Sequence, residues 1–390
     1  MKNYFKGLSV STILLTFASL FADVSTEMLY PILPIFITQT LLAPTTVVGI
    51  VEGVAVATQN IIQGFSGYYS DKLEKHKIIA IVGYTIAAIS KPLTGLSASW
   101  QQVLAARFSD RLGTGIRSAP RDSLIAQSAD EKSRGKAFGL EGIGDNFGAF
   151  LGPLIAVVLL YALHTNMRTI FYLALIPALL AVITISFVKE KKVKVDAKTK
   201  LDFHFSHFPK EYWKYLLLTA IFGIGNSSNA FLILRAKQAG ISLETTIIIY
   251  AFFNLVAALA SYPAGAISDK IGRKNVLLFA LFIFLATYIG FGISTSFWIL
   301  SFLFILYGIF GGTYRTIGKT FATDFVPQSL RASAVGFYAT TVGLTGLIAS
   351  FVGGFLWTFI NSTATFYYGA LFAFLGILYL FFIIPSQKKM

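Results

Sequence analysis

The chain has 390 residues, of which 55% are hydrophobic and only 13% are charged. An ordinary soluble domain has about 25% charged residues, so this composition excludes a soluble enzyme, a nucleic-acid-binding protein and a disordered scaffold. The net charge of +14 therefore indicates basic loops on one side of a membrane rather than a nucleic-acid partner.

A helix that crosses a bilayer needs about 20 mostly apolar residues. The sequence predicts twelve such helices, near residues 8–37, 45–69, 77–97, 100–127, 136–162, 168–188, 214–237, 243–268, 275–293, 297–324, 331–358 and 364–384. The first is not read as a cleaved signal peptide, because it lacks a small-residue cleavage site and continues through Pro31 and Pro34. The longest polar connection predicts a linker at 189–213 between six-helix halves at 1–188 and 214–390.

The basic residues of the loops lie mostly on one side of the predicted bundle. With the N-terminus placed inside, the outer loops contain only Arg168, Arg235 and Lys237, whereas the inner loops and the linker are rich in Lys and Arg. Basic loops stay in the cytoplasm, so both termini and the linker are predicted to be cytoplasmic. We expect a multi-pass protein of the cell (inner) membrane and a monomer, whose partners are the lipid bilayer and a small-molecule substrate, with no nucleic acid.

Residue types that carry enzyme chemistry are scarce. The chain has no Cys, its four His lie outside the apolar stretches, and H-E-x-x-H and the phosphate-binding loop G-x-x-x-x-G-K-[ST] are both absent from the sequence. We therefore expect neither an enzyme nor a metal site, and no cofactor other than a proton as coupling ion.

An internal repeat relates the two halves. Residues 67–73 resemble residues 265–271 at an offset of 198, and the same offset places Gly113 on Gly311 and Arg117 on Arg315. A duplication of six helices keeps both copies in the same orientation, so the sequence predicts an all-α membrane protein with two parallel six-helix repeats around a central cavity.

With these loops the chain resembles the major facilitator superfamily. The motif is G-x-x-x-D-[RK]-x-G-[RK]-[RK], and its residues here are Gly67, Asp71, Lys72 and Lys75 in the first copy and Gly265, Asp269, Lys270, Gly272, Arg273 and Lys274 in the second. The first copy departs from the motif at Glu74, where glycine is expected. The resemblance implies a latch that closes in one transport state, and the alternative is a solvated turn with positive-inside charge. The run Gly148, Gly152, Pro153 resembles part of an antiporter signature and points towards the drug:proton antiporter-like members.

Charges inside membrane helices are costly, roughly 2.5–3.5 kcal/mol each at the bilayer centre, and are functional candidates by default. Asp23 and Glu27 share a face of the first helix, and Arg107 and Arg111 share a face of the fourth, with Asp110 between them. Counting residues brings both sets to similar depth, so we expect the acids to face the arginines across a wet cleft as a proton-coupling and substrate site. The alternative is that Arg107 and Asp110 only neutralise each other within the fourth helix, with Asp23 and Glu27 merely hydrated.

A second set of charges is related by the turn between the fourth and fifth helices. Arg121 and Glu141 lie equally far from the turn centre at Glu131, and so do Arg117 and Asp145. An antiparallel hairpin places such residues at equal depth, which predicts two ion pairs that form an inner gate or only satisfy buried charge. Asp145 is also a candidate for protonation.

The second half has neutral groups where the first has charges. Asn226 and Asn229 are candidates to line the cavity or to hold helices together. Glu52 on the second helix and Lys91 on the third are further candidates.

Together these features predict a secondary active transporter that works by alternating access. The first hypothesis is proton-coupled efflux (antiport) of an amphipathic compound, as in multidrug efflux. The second is proton-coupled uptake of an organic anion, because two arginines within the membrane can bind a carboxylate or a phosphate. The third, from another class, is a non-transporting receptor on the same fold.

Overall fold

The computed structural model describes residues 8–73, 75–130, 133–162, 164–190, 208–327 and 330–384. Within these ranges the backbone is helical apart from short connections and one isolated bridge between Leu8 and Ala129. The predicted all-α fold is confirmed for this part of the chain.

Twelve helices, two of them interrupted, make up the described chain. The first six are α1 (Val10–Leu29), α2 (Thr45–Leu73), α3 (His76–Leu96), α4 (Trp100–Ser128), α5 (Arg134–Val157) and α6 (Met167–Leu173 and Leu175–Ser186). The others are α7 (Lys210–Gly225 and Ala230–Gln238), α8 (Leu243–Ile271), α9 (Arg273–Ile293), α10 (Phe297–Asp324), α11 (Arg331–Phe359) and α12 (Ser362–Ile383). Short helical turns extend α1 through Leu33–Ile35 and Phe36–Thr40, and extend α5 through Val158–Ala162.

Several helices begin at a polar residue that satisfies a free backbone N–H group. The first N–H groups of a helix have no partner within it, so a side-chain oxygen just before the first turn stabilises the helix start. Side chains that accept such a bond are those of Ser9, Asn166, Ser242 and Asn361. The helix ends therefore follow local sequence as well as membrane thickness.

Eleven segments of the described chain are long and apolar enough to cross a membrane. The helix that does not qualify is α4, which has 29 residues but carries six charged side chains between Arg107 and Asp122. Its buried residues include Arg107, Asp110 and Arg117. Among the described helices, α4 thus carries more buried charged residues than any other.

The described helices form two compact units. One contains the described residues up to Phe36 and from Thr58 to the end of α6, and the other contains Ile37–Ala57 and the residues from α7 onwards. Segment Ile37–Ala57 belongs to the second unit because α2 packs there against α11, where the Thr46 hydroxyl donates to the Gly354 carbonyl oxygen at 3.2 Å. The predicted linker at 189–213 lies mostly outside the described residues, so the predicted domain boundaries stay a prediction.

In the first unit, glycines bring α1 and α5 close together. A Cβ atom at Gly148 would lie 2.6 Å from the carbonyl oxygen of Leu20, and one at Gly152 would lie 2.7 Å from that of Val24. Gly144 meets Thr16 in the same way. The G-x-x-x-G-P run that resembles an antiporter signature therefore acts here as a helix-packing surface, as small residues do in membrane helices.

The second unit has an aromatic core. Phe284 stacks on Tyr288 with ring centroids 3.9 Å apart and lies 4.9 Å from both Phe222 and Phe310. These rings are buried, and such pairs add about 0.5–1.5 kcal/mol each beyond burial. The second unit is therefore held together by neutral aromatic contacts, in contrast to the charged interior of the first.

The repeat predicted from sequence is visible in matching contacts. The Ser70 hydroxyl donates to the Gly67 carbonyl oxygen at 2.9 Å, and the Ser268 hydroxyl donates to that of Gly265 at 2.7 Å. Both pairs lie at the predicted cytoplasmic ends of α2 and α8 and are related by the offset of 198 residues.

Filling the contact between α1 and α5 should destabilise the protein. We predict that Gly148→Leu lowers the free energy of unfolding by about 1–3 kcal/mol, because the new side chain meets backbone that cannot move aside. Gly142→Leu on the same helix is the matched control, since a Cβ at Gly142 meets no atom within 4 Å. Thermal unfolding in detergent, followed by tryptophan fluorescence, compares the two. Equal melting temperatures would show that α1 and α5 do not need this contact.

Candidate functional site

Asp110 on α4 is the centre of a buried cluster of cations. Its carboxylate lies 2.7 Å from the ammonium nitrogen of Lys91, 3.1 Å from a guanidinium nitrogen of Arg107 and 3.6 Å from Nε of Arg111. Lys91, on α3, also donates to the Thr26 hydroxyl of α1 at 3.1 Å. We call Lys91, Arg107, Asp110 and Arg111 the basic cluster.

The basic cluster has three positive charges and one negative charge. The side chains of Lys91, Arg107 and Asp110 are each about 5% exposed or less, and that of Arg111 is 14% exposed. Arg111 also donates to the Gln59 amide oxygen of α2 at 3.0 Å. The predicted Arg107–Asp110 pair is therefore present, and the same Asp110 carboxylate also contacts Lys91 and Arg111.

A second cluster lies further towards the predicted cytoplasmic side. A guanidinium nitrogen of Arg121 lies 3.0 Å from the Glu141 carboxylate and 3.6 Å from that of Asp145. The Ser19 hydroxyl of α1 links the first pair, since it donates to Glu141 at 2.9 Å and accepts from Arg121 at 3.0 Å. The predicted Arg121–Glu141 ion pair is confirmed.

Arg117 does not form the predicted pair with Asp145. Its guanidinium carbon lies 4.3 Å from the ring centroid of Tyr84, while Asp145 is within reach of Arg121 instead. Counting from the turn does not fix the direction in which Arg117 points around the helix axis. The arginine stacks on an aromatic face, a contact worth about 2 kcal/mol when desolvated.

Asp23 lies with the second cluster rather than with Arg107 and Arg111, so its predicted placement is wrong. Its Cβ packs on Gly148 of α5, and the charged groups around it include Asp145, Arg117 and Arg121. The physical reason is the glycine surface of α5, which draws the face of α1 that carries Ser19, Asp23 and Glu27 towards α5. The neighbouring face, with Thr26, is turned to Lys91. We call Asp23, Arg117, Arg121, Glu141 and Asp145 the acidic cluster.

In the second unit, the predicted polar candidates mark a break in a membrane helix. The first part of α7 ends at Gly225 and the second begins at Ala230, so Asn226 and Asn229 lie at the two ends of the break. The Asn229 side-chain oxygen accepts from the Tyr307 hydroxyl at 3.0 Å, and the Ser227 hydroxyl lies 3.3 Å from that of Tyr288. Interrupted helices of this kind are common near the binding sites of transporters.

Glu52 is brought to the same break. Its carboxylate lies 3.5 Å from the Ser228 hydroxyl, and the residue is 3% exposed. The Ser228 amide donates to the Ser350 hydroxyl at 3.2 Å. Glu52 thus belongs to a mostly neutral polar site of the second unit.

The second copy of the loop motif forms a connected ion-pair network. Arg273 lies 3.0 Å from the Asp269 carboxylate and 2.8 Å from that of Asp324 on α10. Gly272, at φ +92°, has the left-handed backbone that glycine permits, and Lys274 donates to the carbonyl oxygen of Ile384. The latch role predicted for Asp269, Lys270 and their neighbours stays a prediction.

The first copy of the loop is built differently. The side chain of Asp71 lies outside the described residues, as does Glu74. Instead, the Glu190 carboxylate accepts from the backbone N–H groups of His76 and Lys77, at 2.8 and 3.3 Å. A carboxylate at the start of a helix is favourable because the helix dipole is positive there. Glu190 therefore binds the start of α3, directly after the first copy of the loop. In that copy Glu74 stands where the motif has glycine.

Sequence reasoning missed the neutral residues of these clusters. Ser19, Thr26 and Gln59 are common residue types, and no pattern marks them. Tyr84 could have been found, because it precedes Lys91 by two helical turns and the two share a face of α3. Among the described residues, no group of three or more Asp, Glu or His side chains is arranged to hold a metal ion.

A family model of the Major Facilitator Superfamily matches residues 15–234 and 215–390. The chain belongs to this superfamily. An uncharacterised transporter of the superfamily from Methanocaldococcus jannaschii is 36% identical over 97% of this chain and 96% of its own length. A cis,cis-muconate transport protein of Acinetobacter baylyi is 24% identical over 75% of this chain and 74% of its own. A crystal structure of the nucleoside transporter NupG superposes with a TM-score of 0.76, at 16% identity and over 95% of this chain and 98% of its own.

The protein is accordingly a multi-pass membrane transporter of a small molecule. Such proteins carry solutes and are built from the helical architecture described above. The family sets the class of function, and the substrate must be argued from the buried side chains.

The ion pair between Arg121 and Glu141 should stabilise the protein through direct coupling. In a double-mutant cycle with Arg121→Gln and Glu141→Gln, we predict a coupling energy of about 1–3 kcal/mol, because either single change leaves a buried charge without its partner. The matched control is a cycle with Asp122→Asn. Asp122 also contacts Arg121, at 3.1 Å, but its side chain is 38% exposed, so its coupling should stay below about 1 kcal/mol. Chemical unfolding in mixed micelles measures both cycles, and equal coupling energies would contradict the assignment.

Proposed function

We propose that the protein carries an organic carboxylate together with a proton across the membrane. The observation that supports the substrate is the basic cluster, in which three buried cations share the carboxylate of Asp110. A second carboxylate, on a substrate, would fit this arrangement because guanidinium groups bind carboxylates through two parallel hydrogen bonds. The relative named as a muconate transport protein also carries an organic acid.

Arg111 is the member of the basic cluster best placed to contact the substrate. It is the most exposed of the four, and its bond to Gln59 is one that an incoming carboxylate can replace. Its distance to Asp110, 3.6 Å, is also the longest of the three contacts. We assign Lys91 and Arg107 the role of keeping the site positive, since both lie closer to Asp110.

The acidic cluster supports the proposed proton site. Asp23, Glu141 and Asp145 supply three carboxylates against the two guanidinium groups of Arg117 and Arg121. Asp122, which lies 3.1 Å from Arg121, and Glu27, whose charge acts on Asp23, add to this excess of carboxylates, and a bound proton reduces it. A proton taken up here would offset the charge of the one carboxylate group that the basic cluster binds, so that this group adds no net buried charge to the loaded protein.

This arrangement favours the organic anion over an amphipathic drug. A cationic compound would be repelled by Lys91, Arg107 and Arg111, whereas a carboxylate would be attracted by them. We therefore prefer cotransport of an acid and a proton to efflux by antiport. The proposed orientation keeps both termini in the cytoplasm, on the basis of the basic loops.

Flux measurements in proteoliposomes test this function. With an imposed pH gradient we expect protein-dependent accumulation of radiolabelled cis,cis-muconate on the alkaline side, and none of uridine or of ethidium. Arg111→Gln should reduce accumulation by about tenfold or more, which corresponds to the loss of one charge-assisted contact of about 1.5–3 kcal/mol. Arg134→Gln is the matched control, because Arg134 is exposed at the start of α5.

Each alternative gives a different result in the same assay. Accumulation of ethidium on the acidic side, without carboxylate flux, would contradict the proposal in favour of drug antiport. A properly folded protein that moves none of the probes would instead support the receptor hypothesis. Accumulation by Arg111→Gln equal to that of the wild type would remove Arg111 from the substrate site.

A further inference from the structure

The side chain of Arg117 is turned towards an aromatic ring rather than towards a carboxylate. Its guanidinium carbon lies 4.3 Å from the ring centroid of Tyr84, which is only 2% exposed. Arg117 and Asp145 are both among the charged groups around Asp23 of α1, yet no ion pair joins them within the part of the chain that the structure describes. The ring of Tyr84 therefore holds a guanidinium group that has carboxylates close to it.

Asp145 is the carboxylate that this arrangement leaves weakly bound. Its Oδ1 atom is buried and accepts no hydrogen bond from any described residue. A guanidinium nitrogen of Arg121 lies 3.6 Å from Oδ1, which is beyond a good hydrogen bond, and the same nitrogen lies 3.0 Å from Glu141. Glu141 also accepts from the Ser19 hydroxyl at 2.9 Å. The structure thus satisfies the charged form of Glu141 better than that of Asp145.

Asp145 is also the more accessible of these two carboxylates. Its side chain is 32% exposed, whereas that of Glu141 is 9% exposed. A group that takes up a proton must exchange it with water in at least one transport state. Asp145 can do so directly, without a relay through other side chains.

The charged groups around Asp145 come from three helices. They are Asp23 and Glu27 on α1, Arg117, Arg121 and Asp122 on α4, and Glu141 on α5, and α3 adds the neutral Tyr84. Four carboxylates therefore surround Asp145, against two guanidinium groups, and one of these two is stacked on Tyr84. A proton on Asp145 lowers the repulsion among these carboxylates.

We propose that Asp145 is the carboxylate that takes up the proton, and that Tyr84 is a positioning residue that holds Arg117 away from it. Uptake forms an O–H bond on the Asp145 carboxylate with a proton from water, and release returns that proton to water. Tyr84 and Arg117 neither gain nor lose a proton in this step. The inference rests on the proposed function, and it names the residue within the acidic cluster that binds the proton.

Removal of the aromatic ring should change the pH at which Asp145 binds its proton. Without the Tyr84 ring, the Arg117 guanidinium can turn to Asp145, and a cation beside a carboxylate favours its charged form. Protonation then requires a more acidic solution. We expect Tyr84→Leu to move the midpoint of Asp145 protonation to a lower pH by about one unit or more. Adding Arg117→Gln to Tyr84→Leu should move this midpoint back up.

Infrared spectroscopy of the protein in liposomes measures this midpoint without any substrate. A carboxyl group shows its C=O stretch only when it is protonated, and the pH-dependent difference between each variant and its Asp145→Asn derivative isolates the band of Asp145. Tyr84→Phe should keep the wild-type midpoint, because it keeps the ring and the Tyr84 hydroxyl has no hydrogen-bond partner among the described residues. In proteoliposomes, the pH of half-maximal cis,cis-muconate accumulation should shift with the infrared midpoint.

Phe171→Leu is the matched control for the loss of a buried ring. Phe171 lies on α6 of the same unit, is fully buried, and packs on Phe36 with ring centroids 5.1 Å apart. This variant should melt at a lower temperature but keep the wild-type midpoint. Equal shifts in Phe171→Leu and Tyr84→Leu would overturn the role of Tyr84, and so would a wild-type midpoint in Tyr84→Leu.

The assignment of the proton to Asp145 has its own test. An Asp145→Asn protein with the same pH-dependent carboxyl band as the wild type would overturn it, and so would an Asp145→Asn protein that still accumulates muconate in response to the pH gradient. If the wild-type protein moves no muconate, the proposed function fails. If the wild type is coupled and Asp145→Asn is coupled as well, only this inference fails.

Discussion

The cost of burying charge in a membrane helix determines how the first unit is built. A charged side chain at the bilayer centre costs roughly 2.5–3.5 kcal/mol on insertion scales, and α4 carries six charged side chains between Arg107 and Asp122. The helix tolerates this because neighbours from α1, α3 and α5 supply partners at two levels, around Asp110 and around Arg121. These partners fix which faces of the four helices meet, and so define both candidate sites.

The two units contain different kinds of buried side chains. At the repeat offset, Arg107 and Arg111 correspond to Ile305 and Ile309, so the second copy lacks these charges. It has instead an aromatic core around Phe284 and an interrupted α7 whose polar groups bond to Tyr288 and Tyr307.

Much of the fold could be predicted from the sequence, because membrane helices are long apolar runs and their ends are set by bilayer thickness. Depth was also predictable, which is why counting from the turn paired Arg121 with Glu141. The rotation of each helix about its own axis could not be predicted, because it depends on which small residues allow two neighbouring helices to come close together. The glycines of α5 turn Asp23 away from Arg107, and the face of Tyr84 attracts Arg117. The interruption of α7 was hidden because its polar residues lie within a continuous apolar stretch.

The central claim is that one chain binds a carboxylate and a proton at separate, linked sites. Calorimetric titration of purified protein with cis,cis-muconate, in buffers of different ionisation enthalpy, counts the protons taken up on binding. Linkage requires that binding tightens as the pH falls through the range in which protons are taken up. The account predicts an uptake of about one proton per muconate bound, and a smaller uptake in Glu141→Gln, because Glu141 belongs to the acidic cluster. Muconate binding that is independent of pH, with no proton uptake in any buffer, would contradict the account.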